Sequence, residues 1–144
     1  MKHFKYFGLI AIFTFISCKK PEFEAPAGYV HITVSLNSMV YDNLRYIGGT
    51  YLFEYNDDGF PAGKNGVMVY RDVNWFNAFE CSCPLDSCML NYDRENDPFI
   101  LECECCESWF SVATGSCLQG DAEGKFLRAY KTYVEGSTLY IRNN

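Results

Sequence analysis

Histidine is almost missing from this chain: 144 residues hold two, His3 and His31. Without an imidazole near any serine or cysteine, nucleophilic catalysis of the Ser–His or Cys–His kind has no base. Basic stretches are missing too. A formal charge of −6 and no Lys/Arg run argue against nucleic acid or anionic lipid heads as partners. No window carries a helical apolar stripe and no segment repeats, which sets aside bundles and solenoids. The apolar run from Phe7 to Ile16 is too short for an ordinary membrane-spanning helix. What the chain has in quantity is sulfur and aromatic surface, with 8 cysteines, 11 tyrosines and 12 phenylalanines. The aromatics supply core material, so disulfides are not required merely because the domain is small.

The N-terminus sets the compartment. Lys2 and Lys5 precede the apolar run, which ends in Phe15-Ile16-Ser17-Cys18. A small residue followed by cysteine at the end of such a segment resembles a bacterial lipobox. The resemblance implies cleavage of a signal peptide, residues 1–17, and acylation of Cys18. The expected location is the cell envelope outside the cytoplasm, with a lipid membrane as partner through those acyl chains. Loss of Lys2 and Lys5 takes the formal charge from −6 to −8. Residues 18–28 hold Pro21 and Pro26 among alternating charges, which reads as a tether. Residues 29–144 are the length of one domain.

Within that domain the strand signals dominate. Val30–Leu36 alternates with period two, and Tyr51–Tyr55 does so after Gly48-Gly49. Gly66–Arg71 and Trp75–Phe79 read as a hairpin turning at Asp72–Asn74. Phe99–Leu101 is a short apolar strand, and 126–134 with 138–142 form a closing pair across Glu135-Gly136-Ser137. Asn37–Leu44 has no clear period. The fold class is all-β, a sandwich or small barrel. Asn56-Asp57-Asp58-Gly59 resembles the start of a calcium loop but lacks further oxygen ligands at the right spacing, so it reads as an acidic turn.

Two sulfur pairs carry the chemistry: Cys81-Ser82-Cys83, and Cys103-Glu104-Cys105-Cys106 about twenty residues later. Thiolates gathered from two loops hold zinc or an iron–sulfur cluster, or oxidise to disulfides. If Cys18 is acylated an odd number of cysteines remains, so one must be a ligand, a free thiol or an intermolecular partner.

The surroundings of these pairs resemble a Rieske-type 2Fe–2S domain over roughly residues 66–141. That family is a β-sandwich with an inserted two-loop subdomain carrying C-x-H on one loop and C-x-x-H on the other. Here a G-V-x-V-Y-R … F-x-A-F hairpin precedes the first loop. The second loop continues C-x-C-C-x-S-x-F-S-x-x-T-G where the family reads C-x-C-H-G-S-x-F-D-x-x-T-G. Gly120-Asp121-Ala122, Leu127, Tyr130 and Leu139-Tyr140-Ile141 follow. The resemblance implies a Rieske-like β-sandwich with a cysteine-rich insertion at about 80–118. It implies Cys81, Cys83, Cys103 and Cys106 as metal ligands, and Cys88 and Cys105 as the disulfide that ties the loops. Ser108 falls where the family donates a hydrogen bond to its cluster. Both ligand histidines are cysteine here, Phe110 lacks the hydroxyl of a tyrosine, Glu107 replaces a glycine, and Cys117 has no counterpart.

Three occupants of the site stay open. A 2Fe–2S cluster on four thiolates implies one-electron transfer to an envelope redox partner, at a potential near roughly −400 mV as in all-cysteine ferredoxins. Disulfides across the loops imply a cofactor-free binding or structural module. That reading is favoured by export without a twin-arginine signal into an oxidising compartment. A structural zinc on four thiolates is the third. Enzyme readings are weaker. Asp86, Asp93, Glu95 and Asp97 look like a solvated loop, and Trp75 and Trp109 look like core or loop cover.

Overall fold

The computed structural model describes residues 28–144; the lipobox, Cys18 and nearly all of the tether lie outside the described residues. No helix among the described residues is long and apolar enough to cross a membrane. Among the described residues nine strands form three antiparallel three-stranded sheets: β1 (His31–Ser35), β2 (Thr50–Phe53), β3 (Val67–Arg71), β4 (Phe76–Glu80), β5 (Ile100–Cys103), β6 (Ser108–Ser111), β7 (Cys117–Gln119), β8 (Lys131–Glu135) and β9 (Thr138–Arg142).

The first sheet has the order β1-β9-β8 and the second β2-β3-β4. Period-two alternation sends one face of each inward. Ile32 and Val34 of β1 and Leu139 and Ile141 of β9 meet Val67, Val69, Phe76 and Ala78 of β3 and β4 in one buried cluster. That shared core makes the two sheets a sandwich. The layers are stitched where β4 runs on beside the segment before β8, with Glu80 N–H to Arg128 C=O and Tyr130 N–H to Ala78 C=O, both at 2.9 Å.

Two expectations shift. Residues 39–45, aperiodic in sequence, form a 3₁₀ segment, Met39–Arg45, capped by the Ser38 hydroxyl on the Val40 N–H and fixed by buried Leu44. The strand expected over 126–134 begins only at Lys131; before it, Phe126 and Ala129 make single bridges to Ser116 and Phe79.

The third sheet, β5-β6-β7, is inserted between β4 and the closing hairpin and brings a second core. Phe110, Leu101, Val112 and Leu127 pack there with Met68, Phe79 and four cysteines. The architecture is all-β, a sandwich with a cysteine-rich two-loop insertion, as expected.

Candidate metal centre at the two loop tips

Loop one is a long hairpin that grows out of β4. Cys81 donates its N–H to Gly66 C=O and accepts from Leu90 N–H, each at 2.9 Å, so its backbone is still laddered on both sides. One step further, Ser82 bridges Met89, and Cys83 N–H reaches Cys88 C=O at 2.8 Å. The tip is closed by Ser87 N–H to Cys83 C=O at 2.9 Å, with Ser87 at φ 64. Within it the Asp86 carboxylate accepts the Cys88 N–H at 2.9 Å, an Asx turn that fixes where the side chain stands.

Loop two is the β5–β6 hairpin. Cys103 pairs with Ser108 in register, leaving Glu104–Glu107 as a four-residue turn whose last member has φ 50. A disulfide joins Cys88 to Cys105, Cα to Cα 6.5 Å, and ties one tip to the other. Gly120 backs the second loop so closely that a Cβ there would lie 2.4 Å from Glu107 C=O and 2.6 Å from Ser108 Oγ. Only glycine fits that approach.

The tips bring Cys83, Cys103 and Cys106 together, all buried, and Asp86 joins them. One donor atom from each of the four lies within 4.8 Å of every other. Cys83 Sγ is 3.5 Å from Cys106 Sγ, and Cys103 Sγ is 3.6 and 3.7 Å from the two Asp86 oxygens. Ser108 Oγ is 3.2 Å from Cys106 Sγ, accepts the Ala122 N–H at 2.9 Å and donates to Cys106 C=O at 3.2 Å.

Cys81, the fourth cysteine expected in the set, does not join this group. Two residues of extended chain carry it roughly 6.6 Å back from Cys83. It is packed in the second core, and the Met68 N–H hydrogen-bonds to its thiol.

Beneath loop one, buried Glu80 acts as a post. Its Oε2 accepts from Lys64 N–H at 2.9 Å and the Tyr130 hydroxyl at 2.5 Å; its Oε1 accepts from Asn65 N–H at 3.0 Å and the Ser82 hydroxyl at 3.2 Å. Among the described residues no buried side-chain nitrogen or oxygen lacks a partner.

Burial dominates the thiols' electrostatics. It raises the Cys83 thiol strongly and the Cys103 thiol in the same direction, against nearby backbone N–H groups that favour the thiolates. Cys81 is pushed up to about 12 by burial and then by neighbouring Glu80. Asp86 goes the other way: slight burial works against ionisation, but the Cys88 N–H and the Cys83, Cys103 and Cys106 thiols hold it below the usual carboxylate range. The desolvated Cys83 and Cys103 thiols are poor anions on their own. A bound cation reverses that balance, because coordination deprotonates a thiol outright.

The donors can be tested against an ion. A tetrahedral ion with metal–sulfur bonds of about 2.3 Å sets sulfur ligands roughly 3.8 Å apart, and a sulfur and an oxygen ligand roughly 3.5 Å apart. The Cys83–Cys106 pair and the Cys103–Asp86 pair have nearly those spacings. The soft, anionic donor set suits zinc or iron.

The remaining expected residues fall elsewhere. Asp93 caps its own turn, accepting from the N–H groups of Glu95 and Asn96, each at 3.0 Å. Trp109 lends its indole N–H to Glu102 at 3.3 Å, and Trp75 is exposed. His31 stands on β1 with Nε2 4.0 Å from Asp57. The Asn56–Gly59 turn is structural, with the Asn56 and Asp57 side chains accepting the His31 and Thr33 N–H groups. Cys117, half-buried, has its Sγ 3.2 Å from Gln119 C=O and stays outside the centre.

No protein-family model and no curated protein matches this chain. Among solved structures it is similar to the ferredoxin of carbazole 1,9a-dioxygenase from Nocardioides aromaticivorans IC177, at 18% identity and a TM-score of 0.45, over 83% of this chain and 100% of that one.

Proposed function

We propose that this protein is a membrane-tethered one-electron carrier of the bacterial cell envelope, with thiolate-bound iron held between its two loop tips. The observation that supports the reading is the convergence of Cys83, Cys103 and Cys106 from two hairpins bound to each other by Cys88–Cys105. Iron bound there supplies the one-electron chemistry. The chain's own residues do the rest. The disulfide holds the tips in register, Phe110 and Leu101 exclude water from behind, and Ser108 fixes the backbone at Cys106. Leu85 and Met89 are exposed beside loop one and offer a redox partner an apolar contact near the sulfurs.

Cys81, the remaining sulfur that a 2Fe–2S cluster on the four expected cysteines would take, is two residues back from the tip and outside the group of mutually close donors. The reading rests on the three assembled thiolates. The acylated Cys18 and its membrane are part of the proposal and follow from the lipobox alone.

One observation favours a second reading, a cofactor-free module. Cys83 and Cys106 sulfurs 3.5 Å apart need close by only about 1.5 Å to make a disulfide.

Protein exported by a bacterial host and purified without air decides between them. Iron in the elemental analysis, visible absorption and reversible bleaching on one-electron reduction are expected. Zinc without iron, or a colourless protein with a Cys83–Cys106 crosslink in its peptide map, overturns the electron-carrier reading.

A further inference from the structure

The geometry points to Asp86 as the fourth ligand of the centre, so that Cys83, Asp86, Cys103 and Cys106 together hold a single four-coordinate ion and Cys81 stands outside it. This inference rests on the reading above only for the identity of the ion; the ligand set stands on its own.

Three observations carry it. First, the four donors are mutually close, within 4.8 Å in every pairing. Spacings of 3.5 Å between Cys83 and Cys106 and 3.6 Å between Cys103 and Asp86 are near the edges expected around one ion. Ligands carried by different irons of a sulfide-bridged pair lie further apart than the 4.8 Å that spans this set.

Second, Asp86 is aimed. Its carboxylate is held by the N–H of Cys88, the cysteine that the disulfide anchors to loop two. One oxygen thus keeps its link to the backbone while the carboxylate faces the Cys103 sulfur. A ligating carboxylate fixed by a backbone hydrogen bond is the usual support for a metal ligand.

Third, Cys81 stands outside the group of mutually close donors. It lies two residues further from the tip and packs in the second core. The second grouping of Asp86 with Cys88 and Cys105 offers no rival, since those two sulfurs are bonded to each other.

The set has a chemical consequence. Three thiolates and one carboxylate carry four negative charges, as four thiolates do, but the fourth donor is a hard oxygen on an exposed residue. That position is where solvent or an exchanging ion reaches the centre.

Metal titration of the full chain, with cobalt(II) and separately zinc, tests the assignment, using Asp86→Ala, Asp86→Cys, Cys81→Ala and Cys81→Ser beside the unaltered protein. One ion per chain, with the cobalt absorption of a tetrahedral thiolate site, is expected for the unaltered protein and both Cys81 variants. Asp86→Ala is expected to weaken binding by at least roughly 100-fold, since loss of an outer support alone costs 10–100-fold. Asp86→Cys is expected to recover it with stronger sulfur-to-cobalt absorption. Unweakened binding in Asp86→Ala, or loss of binding in both Cys81 variants with far-ultraviolet dichroism unchanged, overturns the assignment. So do two irons and two acid-labile sulfides per chain in the exported protein. Zinc in the exported protein with the same Asp86 dependence overturns the electron-carrier reading and leaves the ligand assignment standing. Iron that is indifferent to Asp86→Ala does the reverse.

Discussion

The Tyr130 hydroxyl donates to Oε2 of Glu80 across 50 residues of chain, at 2.5 Å and with both groups buried. The same carboxylate holds the N–H groups of Lys64 and Asn65 and the Ser82 hydroxyl, so one side chain fixes the base of loop one to the sandwich. Glu80→Gln replaces an acceptor with an NH₂ that faces donors. The expected loss is about 1–3 kcal/mol in urea unfolding, with faster amide exchange at Lys64 and Asn65. Unchanged exchange at those two amides would count against the post.

Removing the Cys88–Cys105 crosslink by a paired serine substitution acts on the tips. Its sequence separation of 17 corresponds to roughly 3 kcal/mol of loop-closure entropy in the unfolded chain. Hydrogen exchange should lose protection over 81–90 and 101–111 first, while β1 and β9 keep theirs. Uniform loss across all nine strands would show that the insertion and the sandwich unfold as one unit.

Alkaline stability follows from Cys81. Its thiol is raised to about 12 in the fold, by burial first and Glu80 second, from an ordinary value of 9.0. The native state therefore keeps a proton that the unfolded chain releases. The stabilisation is whole below about pH 9 and falls as pH rises towards 12, at up to about 1.4 kcal/mol per pH unit. Cys81→Ala in metal-free protein should flatten the fall of the urea midpoint above pH 9. An unaltered slope would assign the loss to Tyr130, Cys83 and Cys103, whose pKa values are also raised chiefly by burial.

Glu107 occupies the left-handed region at φ 50, where a side chain costs roughly 1–2 kcal/mol. Glu107→Gly should raise stability by up to about 1 kcal/mol once the entropy of glycine is set against that relief. A lower denaturation midpoint would mean that the Glu107 side chain contributes more than its backbone costs.

Much of the fold could be read in the sequence because it is written in alternation. Ile32, Val34, Val67, Val69, Leu139 and Ile141 face one core, and each sits in a period-two run. The 3₁₀ segment was illegible, since only Leu44 of its seven residues is buried. β6 and β7 span four and three residues and carry their register through loops, so no periodic window captures them. At the centre, three of the four expected cysteine ligands converge. Cys81 and Cys83 were expected together because they fall on the C-x-H positions of the family pattern; in the fold Cys83 is at the tip and Cys81 lies two residues back along the hairpin, outside the group. Asp86, the proposed fourth donor, stood in the sequence among other loop carboxylates. Its only signal was its position three residues after Cys83 and two before Cys88, inside a hairpin that the sequence does not announce.

The two apolar clusters hold different buried residues: one is shared by the outer sheets, the other lies under the sulfur tips. The outer sheets can thus complete their core before the sulfur tips close. On the proposed reading, an ion that enters the tips late need not unfold the sandwich.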